Sequence, residues 1–368
     1  MKRSLIVMLT LVVAVASAEA YLRLTVPFEI MYQTWFSRGV HTADDDFGLV
    51  YTKNFKGYMR HSDRSWNIPL DLDENGFRKS QSYSCTDDCL DVVLLGGQSQ
   101  MFGYGLQDRY TIAAEIAKAS RVPIKVYNTA WPSLDLSLNF QVYKKLLENK
   151  VKPKFVILGL YNTTVASIRV MSDDFDFMHE RPSKKIFQYF PDLFVVPLGK
   201  IASSVGPIYY KSYVTAGIIS FVDRAIYFVE RIMNADTETI RSVLYNKLLY
   251  GSSKKNSDNA EYLANNNVNI LKFQKFMTYL KTYFKKRDCE LLVVFLPHAS
   301  GVENLYSEVK AIIPPDVDVI DINEELHEET GVKGNYIAAG HYNKHMTNLI
   351  GKRIAAEIQN RVSVLNVR

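Results

Sequence analysis

The chain has 368 residues, of which 47% are hydrophobic and 12% aromatic, so it is long enough to bury a core in one elaborated domain or two modest ones. This composition excludes an intrinsically disordered chain. The formal net charge of +5 is small for the length. Basic residues are interleaved with acidic ones rather than collected in blocks, which argues against nucleic acid as a partner.

The N-terminal segment predicts export. The stretch "MKRSLIVMLTLVVAVASAEA" begins with basic residues, continues with an apolar run, and ends with Ala18 and Ala20, small residues that suit a signal peptidase. The apolar run is shorter than the roughly 20 residues of a membrane-spanning helix, but "YLRLTV" follows closely. Residues 1–20 are therefore interpreted as a signal peptide or an N-terminal membrane anchor. Both interpretations place the rest of the chain in the periplasm or outside the cell.

The three cysteines fit an exported protein. Residues 21–90 form an N-terminal extension, and Cys85 and Cys89 lie in a polar, turn-rich stretch near its end. In an oxidising compartment this spacing predicts a small disulfide loop. Cys289 opens an apolar run, which predicts a buried thiol rather than a reactive one.

Five apolar segments predict parallel strands. Each segment is continuous rather than alternating and ends in a turn signal, which is typical of strands buried on both faces. The segments cover residues 91–97, 123–130, 154–161, 290–297 and 316–322. Helical patterns cover residues 108–120, 134–150, 269–287 and 347–362. This alternation predicts that residues 91–368 form a three-layer α/β/α sandwich with a five-stranded parallel, flavodoxin-like sheet.

An insertion interrupts this alternation between the third and fourth strands, over residues of about 165–265. It contains aromatic, helix-compatible pieces followed by a polar stretch at 250–267. Because an insertion of this length is too long for a simple loop, we predict a helical cap over the strand ends that finishes in a mobile linker. The aromatic residues either pack the cap itself or line a substrate groove.

Polar residues follow the ends of several predicted strands. Ser99 follows the first strand at a polar turn, Asn162 follows the third, and His341 precedes the terminal helix. Ligands of parallel sheets collect at the carboxyl ends of the strands. There, a hydroxyl nucleophile, an imidazole base and an oxyanion donor are the groups that acyl transfer needs. Taken singly, the same residues could serve only as a turn serine, a helix-capping asparagine and a surface histidine.

Several motifs in the same order resemble the SGNH or GDSL-type esterase family. They are "GQSQMFGYG", "NTAWPS", "GLYNTT" and "AAGHYN", and "ENGFRKS" is similar to the Asn-x-x-Gly-Phe-Arg lead-in of exported members. The resemblance covers roughly residues 70–340. It implies Ser99 as the nucleophile and His341 as the general base. It also implies an oxyanion hole formed by the backbone N–H groups of Ser99 and Ser133 and the side chain of Asn162.

Three of these motifs depart from the family pattern. Gln98 stands in place of the aspartate, Ser133 in place of a glycine, and Ala338 in place of the acid of the catalytic triad. The backbone N–H of Ser133 can still serve an oxyanion hole. The acid orients the imidazole and stabilises its charged form, so its absence at Ala338 is the most serious departure. Asp135, Asp321 or a backbone carbonyl would have to replace it.

Other residues are weaker candidates for the site. Gln98 and His298, the latter at the end of the fourth strand, are candidate pocket residues. His345 lies four positions after His341, a spacing that two metal ligands on a helix can share, but no carboxylate is patterned with them. The sequence therefore predicts neither a metal nor a cofactor.

The sequence predicts an exported serine esterase that acts on acyl esters, above all O-acetyl esters, of a polysaccharide or glycoconjugate. Lipid esters are the less favoured substrate, and the N-terminus could associate with a membrane. Transfer of the acyl group to water makes a hydrolase, and transfer to a sugar hydroxyl makes an O-acyltransferase. The alternative is a catalytically weak or inactive relative that binds a glycan or partner. Ala338 favours this alternative, whereas the presence of Ser99, Asn162 and His341 opposes it.

Overall fold

The computed structural model describes most of the predicted α/β domain and parts of the N-terminal extension. The described residues are 2–25, 36–37, 39–44, 48–60, 67–79, 89–132, 136–160, 214, 218, 259–297, 309–311, 313–330, 332–337 and 340–366. Of the predicted cap, only positions 214, 218 and 259–265 are among them. Cys85 lies outside the described residues, so the disulfide with Cys89 stays a prediction.

The chain begins with helix α1 (Lys2–Thr25), whose apolar side chains are largely exposed. In the part of the chain that the structure describes, no helix combines the length and apolar character needed to cross a membrane. The export of the chain stays a prediction. Two antiparallel hairpins follow: β1 (His41–Asp44) with β2 (Gly48–Tyr51), and β3 (Lys56–Arg60) with β4 (Asn67–Asp71).

A five-stranded, fully parallel sheet forms the centre of the α/β domain. Its strands are β5 (Leu90–Gly96), β6 (Ile124–Asn128), β7 (Phe155–Leu160), β8 (Glu290–Phe295) and β9 (Asp318–Asp321). Their spatial order is β6-β5-β7-β8-β9, which is the flavodoxin-like order. All six residues of β7 are buried, as expected for a strand covered on both faces. The predicted sheet is confirmed.

Helices cover both faces of the sheet. They are α2 (Gln98–Phe102), α3 (Ile112–Ala119), α4 (Leu136–Leu146), α5 (Asn259–Lys285), α6 (Ile322–Glu325), α7 (His327–Thr330) and α8 (Lys344–Asn366). A short hairpin of β10 (Tyr336–Ile337) and β11 (His341–Tyr342) precedes α8. Helix α3 packs against α8, and Phe140 of α4 packs edge-on against Phe276 of α5. The predicted three-layer architecture is confirmed.

One part of the predicted linker is helical. Helix α5 begins at Asn259, inside the stretch 250–267 that we predicted to be a mobile linker, so the prediction was wrong over residues 259–267. The sequence "NAEYLANNN" contains no glycine or proline, and its alanines, glutamate and leucine are good helix formers. The amphipathic helix that follows can therefore propagate toward the N-terminus through these residues.

Cys289 lies immediately before β8. The thiol is free and buried, and burial raises its pKa to about 12. Burial and this pKa shift both disfavour the thiolate, which is the reactive form of cysteine. The prediction of a buried thiol is confirmed.

Candidate active site

Strand β5 ends in a tight reversal that places Ser99 in the first turn of α2. Gly96, Gly97 and Gln98 have φ angles of 69°, 67° and 48°, which lie in the left-handed region that favours glycine. A Cβ atom on Gly96 would also lie 2.8 Å from the carbonyl oxygen of Gly159. The polar turn predicted here is thus a short helix. Its leading N–H groups have no acceptor within the helix, so the N–H of Ser99 is suited to bind an oxyanion.

Buried side-chain amides hold the strand ends behind Ser99. The Asn139 Oδ1 atom accepts a hydrogen bond from the Gly96 N–H at 2.7 Å, and Asn139 Nδ2 donates to the Thr129 carbonyl at 2.6 Å. Asn128 Nδ2 donates to the Met101 carbonyl of α2 at 3.0 Å. These bonds connect the carboxyl ends of β5 and β6 to each other and to the helix that carries the serine.

Arg78, from the "ENGFRKS" lead-in, binds the end of the same helix and the chain that follows it. Its guanidinium is buried and donates to the carbonyls of Phe102 at 3.0 Å, of Gly103 and of Leu106. Its Nε atom donates to Asp108 Oδ1 at 2.9 Å. Burial lowers the pKa of Arg78, and the Asp108 carboxylate opposes this shift. The lead-in motif therefore fixes the chain that follows α2.

His341 lies in the short hairpin before α8. It pairs with Ile337 across the hairpin. The neighbouring Tyr342 is buried, and its hydroxyl donates to the carbonyl of Pro297 just beyond the end of β8. Helix α8 then begins under an asparagine cap, because Asn343 Oδ1 accepts from the His345 N–H at 2.8 Å. These contacts attach the histidine segment to the carboxyl edge of the sheet.

The structure brings Ser99 and His341 together. The His341 Nε2 atom lies 2.9 Å from Ser99 Oγ, although the residues are 242 positions apart in the sequence. This distance is that of a hydrogen bond, and the side chain of Ser99 is partly exposed. A hydroxyl hydrogen-bonded to an imidazole at the edge of the sheet is the arrangement of a nucleophile with its general base.

Two residues that we did not predict also contact the histidine segment. Gln100 forms hydrogen bonds with the backbone of Gly340 and of Tyr342. The Tyr104 ring lies against the imidazole of His341, with 4.9 Å between the ring centroids. The sequence signal for both was weak, because a glutamine and a tyrosine after a strand match no catalytic pattern. Only the burial of Gln100, which the sequence does not reveal, marks it as a structural partner.

The remaining predicted site residues have different outcomes. Ser133, Asn162 and His298 lie outside the described residues, so their roles in the oxyanion hole and pocket stay predictions. Ala338 and Asp135 lie outside them as well. Gln98 is described and lies at the reversal beside Ser99, partly exposed.

Asp321 has other partners at the end of β9. Its Oδ1 atom accepts from the Glu324 N–H at 3.0 Å and caps α6, and its Oδ2 atom accepts from Lys310 at 3.2 Å. Both carboxylate oxygens therefore have partners other than His341. These bonds favour a structural role for Asp321 at the start of α6.

A protein metal site needs several ligating side chains close together. Within the described ranges, no group of three or more histidine, cysteine, aspartate or glutamate side chains could hold a metal ion. His345 Nε2 lies 3.7 Å from Glu329 Oε2, and both side chains are exposed.

Comparison with known proteins gives a distant likeness among solved structures. No protein-family model matches the chain, and no curated protein matches it at a significant level. Among solved structures, the chain is similar to a protein from Desulfitobacterium hafniense that is provisionally described as lipolytic and of the G-D-S-L family. The identity is 13% over 72% of this chain and 98% of that chain, with a TM-score of 0.37.

Proposed function

We propose that the protein is a serine esterase in which Ser99 is the nucleophile and His341 is the general base. The hydrogen bond between Ser99 Oγ and His341 Nε2, 2.9 Å long, is the observation that carries this proposal. The position of the pair at the carboxyl edge of a parallel sheet supports it, because this edge is where such sheets bind ligands.

The reaction would proceed through an acyl-enzyme. His341 Nε2 accepts the Ser99 hydroxyl proton as Oγ attacks the ester carbonyl, and a tetrahedral intermediate forms. The Ser99 N–H in the first turn of α2 is one donor to its oxyanion, and we propose the Ser133 N–H and the Asn162 side chain as the others. His341 then returns the proton to the leaving alkoxide. Attack by a second hydroxyl, with His341 again as the base, releases the acyl group from Ser99.

The second hydroxyl decides between the two reaction types. Water as the acceptor makes the protein a hydrolase, and a sugar hydroxyl makes it an O-acyltransferase. We propose O-acetyl esters of an exported polysaccharide or glycoconjugate as the substrates, supported by the signal-like pattern of residues 1–20 and by the motif resemblance. Neither reaction requires a cofactor.

Ala338 supports a second candidate function. With alanine at the position of the triad acid, the chain could retain the fold and bind a glycan with little or no turnover. The two candidates predict different behaviour of the Ser99 hydroxyl. An activated hydroxyl reacts with a fluorophosphonate, and an ordinary serine does not.

The test is fluorophosphonate labelling and hydrolysis of p-nitrophenyl acetate by the full chain. We expect the parent to be labelled on the peptide that contains Ser99. We expect Ser99→Ala and His341→Ala to lose labelling and at least about 1,000-fold in turnover. The matched controls are Ser363→Ala and His345→Ala, which change exposed residues and should behave like the parent.

The outcomes separate the two candidate functions. A folded parent that is neither labelled nor active would contradict the esterase, and glycan binding by that protein would favour the second candidate. If the parent is active, acetate release from an acetylated glycan measures hydrolysis. A mass increase of an added oligosaccharide measures acyl transfer.

A further inference from the structure

Gln100 bridges the backbone on both sides of His341. Its Nε2 atom donates to the Gly340 carbonyl at 2.9 Å, and its Oε1 atom accepts from the Tyr342 N–H at 3.2 Å. The side chain is only 5% exposed. A terminal amide is one of the few side-chain groups that offer a donor and an acceptor side by side, so Gln100 satisfies two backbone groups with one planar group.

Because of its position in the chain, Gln100 couples His341 to the nucleophile. Gln100 directly follows Ser99 on α2, so the serine hydroxyl and the bridging amide belong to the same short helix. The bridge therefore links the backbone of the histidine segment to the helix that carries the nucleophile. A shift of α2 would move Gln100 and Ser99 together, and the bonded histidine segment would follow.

The hairpin that carries His341 is short. Strands β10 and β11 have two residues each, and they pair only with each other among the described elements. Such a short ladder gives little restraint on where the imidazole lies relative to the main sheet. The hydrogen bonds of Gln100 supply a restraint at the backbone atoms closest to His341.

Tyr104 restrains the ring itself. Its ring is tilted by 52° to the imidazole of His341, and its hydroxyl donates to the Arg60 carbonyl at 2.6 Å. The Tyr104 N–H also donates to the Ser99 carbonyl at 3.0 Å. The imidazole thus packs against a side chain that is anchored at both its backbone and its hydroxyl.

We infer that Gln100 is a positioning residue that sets the distance between His341 Nε2 and Ser99 Oγ, with Tyr104 restraining the tilt of the imidazole. This inference rests on the proposed function. In the motif pattern, a triad acid near His341 orients the imidazole, and this chain has Ala338 at that place. Gln100 supplies orientation through the backbone instead. A displacement of about 1 Å between reacting groups can reduce a rate about 100-fold.

The test is the pair Gln100→Met and Gln359→Met in the full chain. Methionine resembles glutamine in length but cannot form both hydrogen bonds of the amide. Gln359 is the matched control, because its Nε2 atom donates to the Ala119 carbonyl at 3.1 Å, in contact with a different helix. We expect Gln100→Met to lower kcat for p-nitrophenyl acetate and the rate of fluorophosphonate labelling by about 10- to 100-fold, with KM nearly unchanged. Gln359→Met should retain the parent kcat.

A second variant covers the case in which Gln100→Met does not fold. Gln100→Glu keeps an acceptor for the Tyr342 N–H but, when ionised, has no donor for the Gly340 carbonyl. At pH 8 we expect the kcat of Gln100→Glu to lie well below that of the parent. Where Gln100→Met can also be measured, the kcat of Gln100→Glu should lie above that of Gln100→Met.

The results distinguish this inference from the proposed function. An inert parent would overturn both. An active parent with a folded Gln100 variant that retains the parent kcat would overturn this inference alone. A variant that unfolds more easily but has the parent kcat per folded molecule would show a structural role only, and would also overturn it.

Discussion

The two halves of the candidate site are held in place by different means. The serine half consists of the end of β5, helix α2 and the chain up to Leu106. Buried bonds from Asn139 and Arg78 fix it against the sheet. The histidine half is the hairpin of β10 and β11. It contacts the serine half through Gln100, through the Tyr104 ring and through the bond of His341 to Ser99, and the hydroxyl of Tyr342 joins it to the end of β8.

This difference has a consequence for mutations. Changes in the serine half remove many buried contacts at once, so they should mainly reduce stability. Changes in the histidine half remove few contacts but alter the distance to Ser99, so they should reduce activity more than stability. Substitutions in and around the two halves should reveal this contrast.

Arg78→Ala should give the largest effect on stability. The substitution leaves the Asp108 carboxylate and three backbone carbonyls without the guanidinium that binds them. We expect the free energy of unfolding to fall by about 3–5 kcal/mol, measured by urea denaturation. The free energy of unfolding of Arg78→Lys should lie between those of the parent and Arg78→Ala, because a single ammonium cannot reach all of these acceptors.

The control for this prediction is Arg109→Ala, which changes an exposed arginine. It should alter the free energy of unfolding by less than about 0.5 kcal/mol. Similar values for Arg78→Ala and Arg109→Ala would contradict the role of Arg78 as the support of the serine half.

His41→Phe tests a stack of buried aromatic rings that contacts helix α2 through Tyr51 and Phe102. The imidazole of His41 stacks on Tyr51 at 5.0 Å and on Trp131 at 6.1 Å between ring centroids. In the described part of the chain, its Nδ1 atom has no hydrogen-bond partner. Burial lowers the pKa of His41 to about 3, from its ordinary value of 6.5. The folded protein therefore keeps this ring neutral at mildly acidic pH.

The sign of the pH effect follows from the two pKa values. Between pH 6.5 and pH 3 the unfolded chain binds a proton at His41 and the folded chain does not. The free energy of unfolding therefore decreases as the pH falls, by about 1.4 kcal/mol per pH unit well below 6.5. This contribution amounts to about 2 kcal/mol between pH 7 and pH 5.

We expect His41→Phe to lose this contribution, so its stability should decline less than that of the parent between pH 7 and pH 5. Urea denaturation at the two pH values measures the difference. Ser363→Ala serves as the control, since it changes an exposed side chain that does not titrate in this range, and its stability should decline as that of the parent does. An equal decline in the parent and His41→Phe would disprove the assignment to His41.

Tyr342→Phe should give the smallest effect on stability. It removes the hydroxyl that donates to the Pro297 carbonyl and keeps the buried ring. We expect a loss of about 1 kcal/mol in the free energy of unfolding. Activity should fall by up to about 10-fold, because the histidine half loses one of its links to the sheet. If Tyr342→Phe were less stable but kept the parent kcat, the bond of Tyr342 to Pro297 would not control the position of His341, and the prediction would be wrong.

Much of the fold was predictable because its signals are local. The continuous apolar runs of β5, β7 and β8 mark strands buried on both faces. The helical patterns between the strands then require crossover connections and a parallel sheet. The extent of α5 was not predictable from composition, because a polar stretch can either continue a helix or end it.

Ser99 and His341 could be selected by their places after a strand and before the terminal helix, and by the motifs around them. The layers, the sheet and the two candidate side chains could therefore be predicted from local patterns. The distance of 2.9 Å between Ser99 Oγ and His341 Nε2, and the support that Gln100, Tyr104 and Arg78 give, became visible only in the folded chain. Strand and helix patterns repeat over a few neighbouring residues. In contrast, contacts such as that of Gln100 with Gly340 join positions 240 residues apart, and no local sequence pattern predicts them.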